Sequence, residues 1–236
     1  MASDKPIHQR PYGRYCYFQA AFGACLYAHD LFRFVDSFHK TSPYPTLTKP
    51  IDTQELTGNE NLYLATALYA GAWIPDAIYY PIREYPAGVD PKTWDKATER
   101  QVTKGKRYDT QSEGIAREYE ERAVDACRAA LAKLEIVLPL PLSAKETKDV
   151  EGRLPPELEL RFVAYVKERA VAFLEDPFYA YMVAHLADRI WSHKELDRGP
   201  AVQVLEGSQK VAASSFAIAK EERHFEYPTL FFPLRR

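Results

Sequence analysis

Glycine, cysteine and methionine are scarce in this chain of 236 residues, with 10, 3 and 2 of each. So few glycines, scattered as they are, supply no phosphate-cradling loop and no dinucleotide fingerprint, and the G-x-S-x-G elbow of a serine hydrolase is also missing. Three cysteines make no disulfide framework. Cys16 and Cys25 stand nine positions apart. At about 100° per helical residue that spacing points them to opposite faces, so buried, reduced thiols are expected. An excess of one charge is missing too: 31 Lys and Arg face 33 Asp and Glu, for a net charge of −2. Without a lysine-rich block, binding of nucleic acid by phosphate neutralisation is excluded. Internal repeats and low-complexity tracts are absent.

Also missing is an apolar run long enough to cross a bilayer securely. The two stretches poorest in charge, Tyr15 to Ala28 (YCYFQAAFGACLYA) and Asn61 to Pro75 (NLYLATALYAGAWIP), are 14 and 15 residues long, and a span needs about 20. Their composition nevertheless suits close helix packing in lipid. Ala20, Ala21, Gly23 and Ala24 form one small-residue patch, and Ala67, Ala70, Gly71 and Ala72 another. Tyrosines stand at the ends, Tyr12, Tyr15 and Tyr27 for the first and Tyr63, Tyr79 and Tyr80 for the second, as in the aromatic belts of membrane helices. Extended to Val35 and to Ile82, both segments reach spanning length, with Asp30 and Arg33 paired on one face of the first.

What is present in quantity is helix-forming sequence. Apolar residues are 46% and charged residues 27%, which fits a folded domain and excludes a disordered chain or a polytopic transporter. The expected fold is all-α: an amino-terminal apolar helical hairpin, membrane-embedded or membrane-apposed, followed by an amphipathic helical domain with extended Pro-rich connectors and tail. Residues 1–85 form the hairpin with its polar arm, 86–109 a linker, 110–226 the amphipathic domain, and 227–236 an apolar docking tail. The opening residues lack a secretory leader, and Asp4, Pro6 and Pro11 interrupt a transit helix, so any organelle import is expected to use an internal signal.

In detail, a first helix is predicted from Tyr12 to about His39. Ser42–Pro50 is expected to be extended, because of its three prolines. A second helix runs from Asn59 to Trp73, with Pro75 ending or kinking it and the segment from Asp76 continuing to Pro81. A third starts at Thr110, where Thr110 and Glu113 have capping-box spacing, and carries the stripe Ile115, Tyr119, Ala123, Cys127, Ala130 and Leu134 until Val137–Leu142 stops it. Ser143 and Glu146 repeat the capping spacing. Pro156 opens a helix with Leu158, Phe162, Val166, Ala170 and Phe173 on one face. Asp176 caps the next, with Pro177 in its first turn and Phe178, Met182, Leu186 and Ile190 inward, and Gly199-Pro200 closes it. The last helix covers Ala201 to Arg223.

Candidate chemistry is sparse. Asp36/His39 and Glu221/His224 have the one-turn spacing of di-iron ligands, with Glu118, Glu121 and Asp188 as further carboxylates; charged helix ends, in a chain this rich in acids, account for them better. His185 with Asp188 and Arg189 imitates an acid–base pair, and His193 near the carboxyl end of the same helix suits its dipole. Ser214-Ser215 falls within a helical pattern, facing a neighbour. No catalytic residue, cofactor or metal is assigned. The apolar tail residues Leu230, Phe231, Phe232 and Leu234 show no helical or strand alternation, which marks an extended segment that docks on a partner surface.

The expected function is that of a non-catalytic accessory subunit of a large membrane assembly, a mitochondrial inner-membrane respiratory-chain complex or ATP synthase. Its partners are other protein subunits and membrane lipid, with no nucleic acid. The alternative is a soluble, cytoplasmic all-α enzyme or ligand-binding protein with a His/carboxylate site.

Overall fold

A computed structural model describes residues 12–79, 110–133 and 156–215. Six helices and a small sheet make up this part. Helix α1 is Gly13–Ala28, followed by a 3-10 turn at Phe32–Phe34, strand β1 (Val35–His39), strand β2 (Thr46–Leu47) and helix α2 (Gly58–Tyr79). Helices α3 (Thr110–Lys133), α4 (Pro156–Glu175) and α5 (Pro177–Ser192) come next, then strand β3 (Glu195–Asp197) and helix α6 (Arg198–Ser215).

The sheet corrects the all-α expectation. It is antiparallel in the order β2-β1-β3, with Phe38 opposite Leu196 and Val35 opposite Leu47. The physical cause lies at the end of α1. His29 N–H bonds to the carbonyl of Leu26, Asp30 N–H to that of Tyr27, and Leu31 N–H to that of Leu26 at 2.8 Å. This is a Schellman closure, with Asp30 in the left-handed conformation at φ 59° where glycine is usual. The first helix therefore stops at Ala28 instead of running to His39. The residues beyond it, including Val35, Phe34 and Phe38, have the β-branched and aromatic side chains that favour a half-buried strand.

Two further boundaries differ from expectation. Helix α2 continues past Pro75 to Tyr79, since a proline removes a single backbone bond and the flanking turns carry on. Gly199-Pro200 does not close α5, which ends at Ser192; the pair sits in the first turn of α6, where the missing proline N–H has no bond to lose. The other amphipathic assignments agree with the structure. Ile115, Tyr119, Ala123, Cys127 and Ala130 are buried along α3; Phe162, Val166, Ala170 and Phe173 along α4; Met182, Leu186 and Ile190 along α5. Asp176 caps α5, accepting the Phe178 N–H at 2.8 Å. Thr46–Leu47 is extended within the proline-rich segment. The linker 86–109, the segment 137–146, Glu221, His224 and the tail 227–236 lie outside the described residues, as do the side chains of Leu158 and Ser214-Ser215.

One hydrophobic core runs from Cys16 on α1 to Leu205 on α6. Helix α2 is central, packing against α3, α1 and α4, while α1 also packs on α5 and α5 on α6. The apolar patches are thus covered by protein: Ala20, Ala21, Ala24, Ala65, Ala67 and Ala70 are fully buried, and Ala72 is 4% exposed. No helix among the described residues is long and apolar enough to cross a membrane. The small residues let backbones approach closely, and the seats they leave are filled by aromatic rings of the same chain. Burying each such large side chain contributes about 1.5–3 kcal/mol, which gives α1 and α2 ample reason to sit inside protein.

Polar side chains fasten the irregular parts to this core. Gln19 of α1 is fully buried. Its amide nitrogen donates to the carbonyls of His39 at 2.8 Å and Ser42 at 2.5 Å, and its oxygen accepts the His39 N–H at 3.1 Å. Lys133 at the end of α3 donates to the carbonyls of Thr53, Gln54 and Leu56 at 2.9, 2.7 and 2.6 Å. Thr57 and Glu60 form a reciprocal capping box at the start of α2, with bonds of 2.9 and 3.2 Å.

Candidate functional site

The Schellman closure of α1 does more than end a helix, because it turns the chain at the edge of a cleft. Tyr27, Ala28, Asp30, Phe32 and Arg33 form one wall of this cleft; Phe178, Tyr179 and Met182 of α5 form the second; Arg198, Val202 and Gln209 of α6 form the third. Its volume is about 620 Å³, within the range of roughly 300–1,000 Å³ seen for small-molecule sites.

Local sequence explains each wall. The Asp176 cap and Pro177 start α5 so that Phe178 and Tyr179 emerge in its first turn. Tyr179 stacks on buried Phe173 at 4.5 Å between ring centroids, and Phe178 stands perpendicular to Tyr179 at 5.1 Å. Opposite them, Tyr27 meets Phe32 edge to face at 5.9 Å. Phe32 and Met182 are buried and form the floor.

The lips carry charge. Arg33 is occupied: it pairs with Glu60 of α2 and donates to the Asp30 carbonyl at 2.9 Å, over the ring of Phe34. The Asp30–Arg33 side-chain pairing expected on a continuous helix is therefore not made. Arg198 donates to the Arg33 carbonyl at 3.3 Å and makes no ion pair with a carboxylate among the described residues, and the Asp30 carboxylate likewise has no ion pair there. Burial, with Glu206 and Asp30 nearby, pushes the Tyr27 hydroxyl above its ordinary pKa.

The described metal and acid–base candidates from the sequence lie elsewhere. Asp36 and His39 are on strand β1, where three positions apart means opposite faces. Asp36 is exposed, while His39 Nε2 meets Thr46 Oγ1 at 2.9 Å, Ser37 Oγ at 3.1 Å and Glu195 at 3.6 Å. Glu118 accepts from the Tyr44 hydroxyl, and Glu118, Glu121 and Asp188 are all exposed. Among the described residues no group of three or more His, Cys, Asp or Glu is placed to hold a metal ion.

His185 has a partner that the sequence did not suggest. Its Nδ1 lies 2.6 Å from Ser208 Oγ, which donates to the Val204 carbonyl at 2.6 Å. With its proton given to Val204, the Ser208 hydroxyl accepts from Nδ1–H, so the imidazole does not activate the serine as a base would. Ser208 is also fully buried. The pair joins α5 to α6. Asp188 and Arg189 point to solvent, and His193 bonds to the Arg189 carbonyl at 2.8 Å. The cysteines are buried and unpaired, and burial pushes Cys16 and Cys127 up to about 12 and Cys25 higher still.

Sequence inspection missed the cleft because its walls come from three separated segments, and its turn residue is an aspartate where a glycine would have flagged it. In comparisons with known proteins, no family model, no curated protein and no solved structure matches this chain.

Proposed function

We propose that the chain is a non-catalytic accessory subunit of a large assembly at a membrane, with the mitochondrial inner membrane and its respiratory-chain complexes or ATP synthase as the setting. The observation that supports this most directly is the fate of the best catalytic candidates. His185 and Ser208 are consumed in joining α5 to α6, and the thiols are buried with raised pKa values. Because α1 and α2 as far as Ala72 are covered by protein, the proposed placement is membrane-apposed. Attachment falls to surface contacts and to the apolar tail residues Leu230, Phe231, Phe232 and Leu234, whose sequence needs a partner surface.

An enzyme built on a histidine–carboxylate pair would need that pair at a cleft, and none of the described candidates lies at one. A native pull-down with identification of co-purifying chains tests the proposal. The full chain is expected to bring down the subunits of one complex, and a chain truncated after Tyr227 to bring down markedly less. Recovery of the full chain alone, or equal assembly after truncation, contradicts it.

A further inference from the structure

The cleft combines three features that no part of the accessory role uses. Aromatic side chains line it from two elements, Tyr27 and Phe32 on one side and Phe178 and Tyr179 on the other. The carboxylate of Asp30, which has no ion pair among the described residues, stands on the lip beside Tyr27, with Glu206 close to the same phenol. The guanidinium of Arg198, which has no carboxylate partner among the described residues, stands on the α6 wall next to Arg33.

Each feature selects a different part of a ligand. Ring faces beside a carboxylate attract an organic cation, and a weakly hydrated quaternary ammonium loses least on leaving water. A guanidinium fork with free N–H groups selects a phosphate or carboxylate. Arg33 adds little to this choice, because Glu60 already neutralises it. With the Arg198 guanidinium at one end and the Asp30 and Glu206 carboxylates near Tyr27, none in an ion pair among the described residues, the lips favour a ligand that carries both charges over a simple anion or cation. We propose that this cleft binds a zwitterionic head group of the phosphocholine type, with its quaternary ammonium among the aromatic rings beside Asp30 and its phosphate on Arg198. The same chemistry is offered by the free head group in solution and by the choline lipids of a bilayer surface. The proposal stands independently of the accessory role, since it requires no partner protein.

The test uses the full chain and three probes: phosphocholine, choline chloride and inorganic phosphate, titrated by calorimetry or NMR. Phosphocholine is expected to bind about tenfold or more tightly than either half, as two separate charge contacts require. Arg198→Gln is expected to weaken phosphocholine about tenfold while leaving choline unchanged. Asp30→Asn, which keeps a residue that tolerates the left-handed turn, is expected to weaken phosphocholine and choline together. Both sites are exposed, and thermal melts confirm that the variants fold. Flotation with phosphatidylcholine vesicles, set against phosphatidylglycerol vesicles, distinguishes the sources: selective flotation identifies the lipid, and its absence alongside phosphocholine binding identifies the free head group. No saturable binding of phosphocholine at millimolar concentration, equal binding of choline or phosphate, or folded variants with unchanged affinity would overturn the proposal.

Discussion

Gly71 of α2 faces the ring of Tyr119 of α3 so closely that a Cβ on Gly71 would lie 2.8 Å from Cε1 and 3.0 Å from Cδ1. That ring cannot step aside. Its hydroxyl donates to the Pro43 carbonyl at 3.1 Å, and it stacks on Phe18 at 6.1 Å and lies tilted against Tyr44 at 5.0 Å. Gly23 of α1 makes the same kind of seat for Phe38, whose Cζ would lie 2.7 Å from an added Cβ.

Gly71→Ala is therefore expected to destabilise the protein by about 1–3 kcal/mol through overpacking. Gly207→Ala, on α6 where nothing lies within 4 Å, is expected to stabilise it by about 0.5–1 kcal/mol, because alanine is the better helix former. Urea melts with an unchanged slope check both.

These seats show how far the sequence could be read. The patches around Gly23 and Gly71 were legible as places of close approach, and the stripes on α3, α4 and α5 were legible from their spacing. What filled the seats was not: Phe38 reaches Gly23 only because Asp30 ends α1 and sends the chain back as β1, and no short-range rule marks an aspartate as the left-handed residue of a helix cap. The Thr57–Glu60 capping box was visible as T-x-x-E and would have fixed the start of α2. The cleft was invisible, because Asp30, Phe178 and Arg198 meet only through the packing of α1, α5 and α6.

Gln19→Leu keeps the volume but leaves the half-buried amide of His39 and the carbonyls of His39 and Ser42 without their side-chain partner. A loss of about 2–3 kcal/mol is expected. Gln19→Glu is expected to cost more at neutral pH, since a carboxylate cannot donate to either carbonyl. Chemical denaturation of the two variants checks the order.

Stability is expected to fall with acid below the ordinary histidine range. Burial and the charge of Arg169 lower the pKa of His29 from 6.5 to about 4, against a smaller opposing pull from Asp30. The unfolded chain therefore binds the proton first, and stability present above pH 6.5 is lost as pH drops toward 4. The size is at most about 3 kcal/mol, reduced by the partial exposure of the ring. His29→Gln should remove this slope between pH 6.5 and 4, read as the difference between the two proteins' unfolding free energies.

The thiols of Cys16, Cys25 and Cys127 are expected to resist labelling by a disulfide reagent at pH 8 in the native protein, because buried thiols with raised pKa values offer almost no thiolate. All three should react at once on unfolding in denaturant. Prompt labelling of any of them in the native state would show that the helix carrying it opens readily.

The central claim is that the two charge-poor helices are the protein's own core. Hydrogen exchange on the chain in detergent-free buffer tests it most directly. Amides of residues 16–26 and 62–72 are predicted to be among the slowest, exchanging only through global unfolding and already protected in water before any vesicle is added. Fast exchange of these amides in water, with protection gained only when vesicles are added, would contradict it.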